Sequence, residues 1–326
     1  MATASVPRAA GESPAARRQS RGVLTVANDA VYNWAAGLLG SLRRTNPHLP
    51  VLVVPFDANL RRLSRLLDRL GLDVHQPATS LEAAELVARR CGGDPGIFRR
   101  LVAFDGPFDL TLYLDADTVV LRSLDPLFDA VAASGLDVAF GGAKDAPRPG
   151  RHYHFLPGPF LDRYLARGGR LWNAGVIMAA SGRHGTEAMA RFAEQLGEVR
   201  SSFAPRCEDQ SFICHYLLET QARAATLSEV SGASGTSVHQ PVRRTMAGPV
   251  RAADGRPVFV LHWAGYRRPY PQMPLASWWA PHRLRAGDVT GALLGAWRQR
   301  RPPEDAGRPG LPASRAARVR RLGHRR

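Results

Sequence analysis

Three runs of this chain are apolar almost without interruption: Val23-Leu24-Thr25-Val26, Val51-Leu52-Val53-Val54 and Leu110 to Leu114. A strand that is apolar on both faces has to be covered on both faces, as parallel strands between helical layers are. Between the runs lie segments apolar at helical spacing: Val31 to Arg44, Leu60 to Leu70 closed by Gly71, and Leu81 to Arg90. Leu72 to His75 reads as a further short strand. The alternation predicts the α/β class, a single Rossmann-like domain with a mostly parallel central sheet and helices on both faces. Beyond Leu127 the pattern is less regular. Asp137 to Phe140 reads as a strand, Gly141 to Arg170 as loop-rich, and Leu171 to Ala180 as a strand region. Helices are predicted over Glu187 to Val199 and Cys207 to Glu219, and a last strand over Val258 to His262.

The Leu110 strand runs into Tyr113-Leu114-Asp115-Ala116-Asp117-Thr118. Open α/β sheets bind ligands at the carboxyl ends of their strands. Two acids at the end of a buried strand are costly unless they meet a cation or hydrogen-bond donors. Carboxylates are hard ligands suited to Mg²⁺ or Mn²⁺, which can bridge phosphates. An isolated Asp-x-Asp is commonly a turn; the strand before this one points to metal. Far along the chain, His262-Trp263-Ala264-Gly265-Tyr266-Arg267-Arg268-Pro269-Tyr270 follows another apolar run. His262 can add an imidazole to the same ion. Gly265 permits close backbone approach, and Arg267 or Arg268 can neutralise phosphate.

Together these segments resemble the family-eight retaining glycosyltransferases, the group of glycogenin and bacterial lipopolysaccharide galactosyl- and glucosyltransferases. The resemblance covers roughly residues 23 to 270, the ordinary size of such a domain. Thr25-Val26-Ala27-Asn28-Asp29 with Tyr32 is similar to the family's first strand and nucleotide-contacting turn. Phe98-Arg99-Arg100-Leu101 is similar to its Phe-Thr-Lys-Leu segment, with Arg100 for Lys. Asp115-Ala116-Asp117 matches the metal motif, Asn173-Ala174-Gly175-Val176 the Asn-Ala/Ser-Gly-Val strand, and Asp209-Gln210 the Asp-Gln pair that begins a helix. His262 to Tyr270 matches His-x-x-Gly-x-x-Lys-Pro-Trp, with Arg268 for Lys and Tyr270 for Trp. Arg170-Leu171-Trp172 departs from the pattern, which has an acid just before the Asn-Ala-Gly strand.

The resemblance implies a GT-A type fold and a metal-dependent, retaining transfer of a hexose from a nucleotide-diphosphate sugar, a UDP-sugar in the first instance. Asp115, Asp117 and His262 would hold Mn²⁺ or Mg²⁺. Thr25, Ala27, Asn28, Asp29, Tyr32, Arg100, Asp115, Ala116, Asn173, Gly265 and Arg268 would bind the donor. Asp209 and Gln210 would act at the sugar, Gln210 near the anomeric carbon. Gln rather than a carboxylate there favours same-face substitution over a covalent intermediate. The acceptor is left as a glycan, a lipid-linked sugar, a protein or a small molecule. A sugar-nucleotide nucleotidylyltransferase is the rival with a similar sheet, but its glycine-rich phosphate loop is absent after the first strand. A non-catalytic glycosyltransferase-like protein is the other alternative.

Charge adds an outline of the ends. The net charge is +16, and Lys144 is the sole lysine. Ten arginines against two acids follow Trp297, and four against one precede Val23. Residues 1–22 and 299–326 are therefore expected to be disordered basic tails around a domain at 23–298. The basic ends lack interleaved aromatics, which argues against nucleic acid. The C-terminal tail is compatible with weak peripheral contact with an anionic membrane. Three cysteines without paired spacing, and no apolar leader, point to the cytoplasm, at most peripheral to the inner membrane face.

Overall fold

The computed structural model describes residues 20–144, 154–233, 242–243, 250–252 and 254–264. The first half contains β1 (Arg21–Ala27), α1 (Tyr32–Thr45), β2 (Val51–Pro55), α2 (Arg61–Leu70), α3 (Ala78–Cys91), α4 (Pro95–Phe98), β3 (Leu110–Leu114), β4 (Thr118–Val120) and α5 (Asp125–Ser134). After it come β5 (Val138–Phe140), β6 (Ala143–Lys144), α6 (Pro159–Ala166), β7 (Leu171–Trp172), β8 (Val176–Ala180), α7 (Thr186–Ala193), α8 (Glu208–Glu219), β9 (Ala224–Thr226) and α9 (Leu227–Ser231). Three short strands follow: β10 (Val242–Arg243), β11 (Arg251–Ala252) and β12 (Val260–His262). The main sheet has the order β2-β1-β3-β8-β5-β9. The pairings β1–β2, β1–β3 and β5–β9 are parallel, and β8 runs antiparallel to β3 and β5.

The strand sequences explain the two covered faces. Successive side chains of a strand point to opposite faces. Val23, Val51, Val53, Leu110, Leu112 and Leu114 join one apolar cluster with α1, α2 and α5 through Trp34, Leu38, Leu66 and Phe128. The alternate residues Leu24, Val26, Val54, Tyr113 and Ile177 join a second cluster with α3, α7 and α8 through Val87, Met189, Phe212 and Ile213. Each fully buried Leu or Phe contributes on the order of 1.5–3 kcal/mol. The α/β class, the mostly parallel sheet and the helices on both faces are thus as expected. No helix among the described residues is long and apolar enough to cross a membrane.

Several local expectations are corrected. β1 begins at Arg21, inside the segment assigned to the N-terminal tail. Arg21 pairs with Asp129 at 2.7 Å, and Gly22 lies so close to Phe108 that a Cβ would stand 2.0 Å from its ring. Leu72 to His75 makes a single bridge, Val53 to Val74, rather than a ladder. Leu72 is buried there, while Val74 is 37% exposed. Leu171 to Ala180 is split into β7 and β8 by the turn Asn173-Ala174-Gly175. The Glu187 to Val199 helix ends at Ala193, and a 3-10 turn over Gly197–Ser202 follows. The loop-rich stretch after Gly141 contains β6 and α6.

Candidate active site

Parallel pairing sends the carboxyl ends of β1 and β3 to the same edge of the sheet. Because β8 is antiparallel to β3, its amino end, preceded by Asn173-Ala174-Gly175, arrives at that edge too. The Asp115 amide donates to the Gly175 carbonyl at 2.9 Å. Beyond the acids the chain turns back as β4, and β12 pairs with it antiparallel, placing His262 opposite Thr118. This register, and the Trp263 amide donating to the Asp117 carbonyl at 2.9 Å, bring the imidazole to the two acids. His262 Nε2 lies 3.1 Å from Asp117 Oδ1 and 3.5 Å from Asp115 Oδ2. One ligand atom from each of the three residues falls within 4.8 Å of the others.

The set fits a hard divalent cation of the Mg²⁺ or Mn²⁺ class: two carboxylate oxygens and one imidazole nitrogen, the nitrogen favouring the latter. Charge balance agrees. Among the described residues, Arg100 is the guanidinium that faces these carboxylates, lying 3.4 Å from Asp115 and 3.0 Å from Asp209. Burial works against the charge of Arg100, but Asp115, Tyr113 and Asp209 more than offset it, and its pKa rises. Burial raises the Asp209 carboxyl, with Arg100 opposing. Burial also acts to lower His262, yet Asp117 and Asp115 prevail and its pKa is raised. The field that draws a proton to the imidazole is the field a metal ion would meet.

The remaining predicted residues fall into distinct places. Thr25 and Ala27 are fully buried in β1, so neither side chain is open to a ligand. Asn28 accepts from the Ala30 and Val31 amides and donates to Asp57 at 2.7 Å, which shapes the turn after β1. Asp29 accepts from the Arg62 and Leu63 amides and thereby caps α2. Tyr32 is 7% exposed, and the Arg62 guanidinium lies 4.2 Å from its ring centre. Ala116 is buried between the acids. Asn173 Oδ1 accepts from the Gly175 amide, which tightens the turn into β8. Asp209 is not the helix cap, a place held by Cys207. Its side chain is 3% exposed and faces Arg100, leaving little surface for a sugar hydroxyl. Gln210 is half-buried and its Oε1 accepts from the Ala174 amide at 3.5 Å, beside the metal-ligand turn. Gly265 and Arg268 lie outside the described residues.

Two residues that sequence reasoning did not assign to the site shape it. The Tyr113 hydroxyl donates to Asp115 Oδ1 at 2.5 Å. Burial pushes its pKa well above the ordinary phenol value, so it remains a donor. The period-two rule contained this signal, because residues 113 and 115 share a strand face. Gly175 is the second. A Cβ there would stand 2.1 Å from His262 Cε1 and 2.8 Å from Asp115 Oδ2.

No family model matches the chain, and no curated protein matches it. Among solved structures it is similar to the galactosyltransferase LgtC in complex with donor and acceptor sugar analogues. Identity is 18% over 82% of this chain and 96% of that one, with a TM-score of 0.44. The mouse xyloside xylosyltransferase 1 apo form is 16% identical over 63% of this chain and 83% of its own, with a TM-score of 0.43. The bifunctional glycosyltransferase WbbM is 15% identical over 88% of this chain and 53% of its own, with a TM-score of 0.48.

Proposed function

We propose that the chain is a metal-dependent retaining glycosyltransferase of the GT-A type, moving a hexose from a nucleotide-diphosphate sugar, in the first instance a UDP-sugar. The observation that carries this reading is the meeting of Asp115, Asp117 and His262 at one sheet edge beside Arg100 and Gln210. The ends of β1 and β3 lie side by side there, so a nucleotide held after Ala27 would direct its diphosphate toward the two acids.

Asp115, Asp117 and His262 would hold Mn²⁺ or Mg²⁺. Such an ion supplies charge stabilisation to a departing diphosphate. The chain's own residues do the positioning. Arg100 lies against Asp209 and Asp115 in a buried setting and would help offset charge there. Arg268, the lysine position of the matched segment, would assist at the diphosphate. Gln210, at the start of α8 and against the Asn173-Ala174-Gly175 turn, would lie beside the anomeric carbon. An amide there stabilises positive charge without forming a bond, which suits same-face substitution. Asn173, whose Nδ2 makes no hydrogen bond among the described residues, would take a sugar hydroxyl.

The test is calorimetry of UDP binding with Mn²⁺ and with EDTA, followed by donor hydrolysis against a panel of nucleotide sugars. UDP is expected to bind weakly in EDTA and at least tenfold more tightly with Mn²⁺, at about 1.4 kcal/mol per factor of ten. Equal affinity under both conditions removes the metal from the reading.

A further inference from the structure

The backbone around Asp115 is already fixed. Its amide donates to the Gly175 carbonyl, and its own carbonyl accepts from Thr118 Oγ1 at 2.8 Å. What remains free is the rotation of its carboxylate, and the two oxygens have different surroundings. Oδ1 receives the Tyr113 hydroxyl at 2.5 Å and lies 3.4 Å from Arg100. Oδ2 lies 3.5 Å from His262 Nε2. Arg100 reaches Oδ1 from one guanidinium nitrogen at 3.4 Å, a longer contact than the tyrosine's, while its other nitrogen lies 3.0 Å from Asp209.

We propose that Tyr113 is a positioning residue of the metal site: its hydroxyl ties down Oδ1 of Asp115 and so presents Oδ2 beside His262 and Asp117. The inference rests on the metal reading above and adds a residue to it. A buried tyrosine hydroxyl generally finds some partner. Here the partner is a ligand carboxylate two residues on, on the same strand face. The hydrogen bond restrains the two side-chain torsions that the backbone contacts leave open. Groups that orient metal ligands typically change metal affinity by roughly 10–100-fold when removed.

The experiment is Tyr113→Phe, which keeps the ring in its apolar cluster and removes only the hydroxyl. Mn²⁺ affinity is measured by calorimetry at saturating UDP, with the Mn²⁺ electron paramagnetic resonance spectrum of the bound ion and the melting temperature in EDTA recorded alongside. The expected result is a fall in Mn²⁺ affinity of roughly 10–100-fold, an altered spectrum and a melting temperature close to that of the unaltered protein. Mn²⁺ affinity within twofold of the unaltered protein overturns the proposal. A lowered melting temperature with unchanged Mn²⁺ affinity also overturns it, making Tyr113 a packing residue. If the unaltered protein itself binds no Mn²⁺, the metal reading fails first and this inference falls with it; the two failures are therefore distinct.

Discussion

Replacing Gly175 by alanine is the sharpest test of how the site is assembled. The added methyl carbon would stand 2.1 Å from His262 Cε1, against about 3.4 Å for an ordinary contact. Something therefore has to retreat by more than about 1 Å. The imidazole has little room, with 4% of its side chain exposed. Its backbone is paired opposite Thr118, and the Trp263 amide is bound to the Asp117 carbonyl. On the other side the methyl would meet Asp115 Oδ2 at 2.8 Å, so both ligands are pressed apart. Overpacking of this kind costs about 1–3 kcal/mol, or a drop in Tm of roughly 2–12 °C for a domain of this size. Metal–ligand distances tolerate only about 0.2 Å, so a shift near 1 Å removes one ligand from the set. Gly175→Ala is expected to lower Mn²⁺ affinity in the presence of UDP by roughly tenfold or more, measured by calorimetry, and to lower Tm. Unchanged affinity and unchanged Tm would refute the reasoning, because they would mean that the close approach of Gly175 to His262 does not exist in solution.

Two further outcomes follow from the same geometry. His262→Ala is expected to reduce Mn²⁺-dependent donor hydrolysis at least tenfold while circular dichroism stays that of the folded protein, the loss of one of three ligands being partly restored at high Mn²⁺; full turnover at ordinary Mn²⁺ contradicts the three-ligand set. Just before β5, Asp137 accepts from the Arg223 amide and the Arg183 and Arg223 guanidiniums. Burial pushes the other way, yet these contacts hold its carboxyl well below the ordinary value of 3.8. A depressed carboxylate pKa stabilises fully above the unfolded value and progressively less below it. Asp137→Asn is therefore expected to lower Tm at pH 7, with the difference from the unaltered protein shrinking as the pH falls below about 4; a constant difference from pH 7 to pH 3 contradicts the assignment.

The apolar runs at Val23, Val51 and Leu110 determined a sheet covered on both faces, because the cost of exposing either face is written into each short run. Gly71 ends α2 in the left-handed conformation that glycine tolerates, and that too is local. The pair Asp115 and Asp117 could be read as metal ligands because the strand before them is apolar and the spacing is short. Only the tertiary structure decided the rest. Thr118–Val120 is a strand solely because β12, more than a hundred residues on, pairs with it. The same pairing delivers His262. Arg100, Asp115 and Asp209 lie far apart in sequence, and only the fold brings the guanidinium within 3.4 Å of Asp115 and 3.0 Å of Asp209. Thr25 belongs to a motif similar to a nucleotide-contacting turn, yet the packing of both faces of β1 leaves it fully buried. Gly175 carries no chemistry of its own, and its importance is the absence of a methyl group where His262 and Asp115 converge. Local patterns specify which faces must be buried and which residue types can ligate. Register and distance between segments depend on how the two apolar clusters close over the sheet, and that closure is a property of the whole chain.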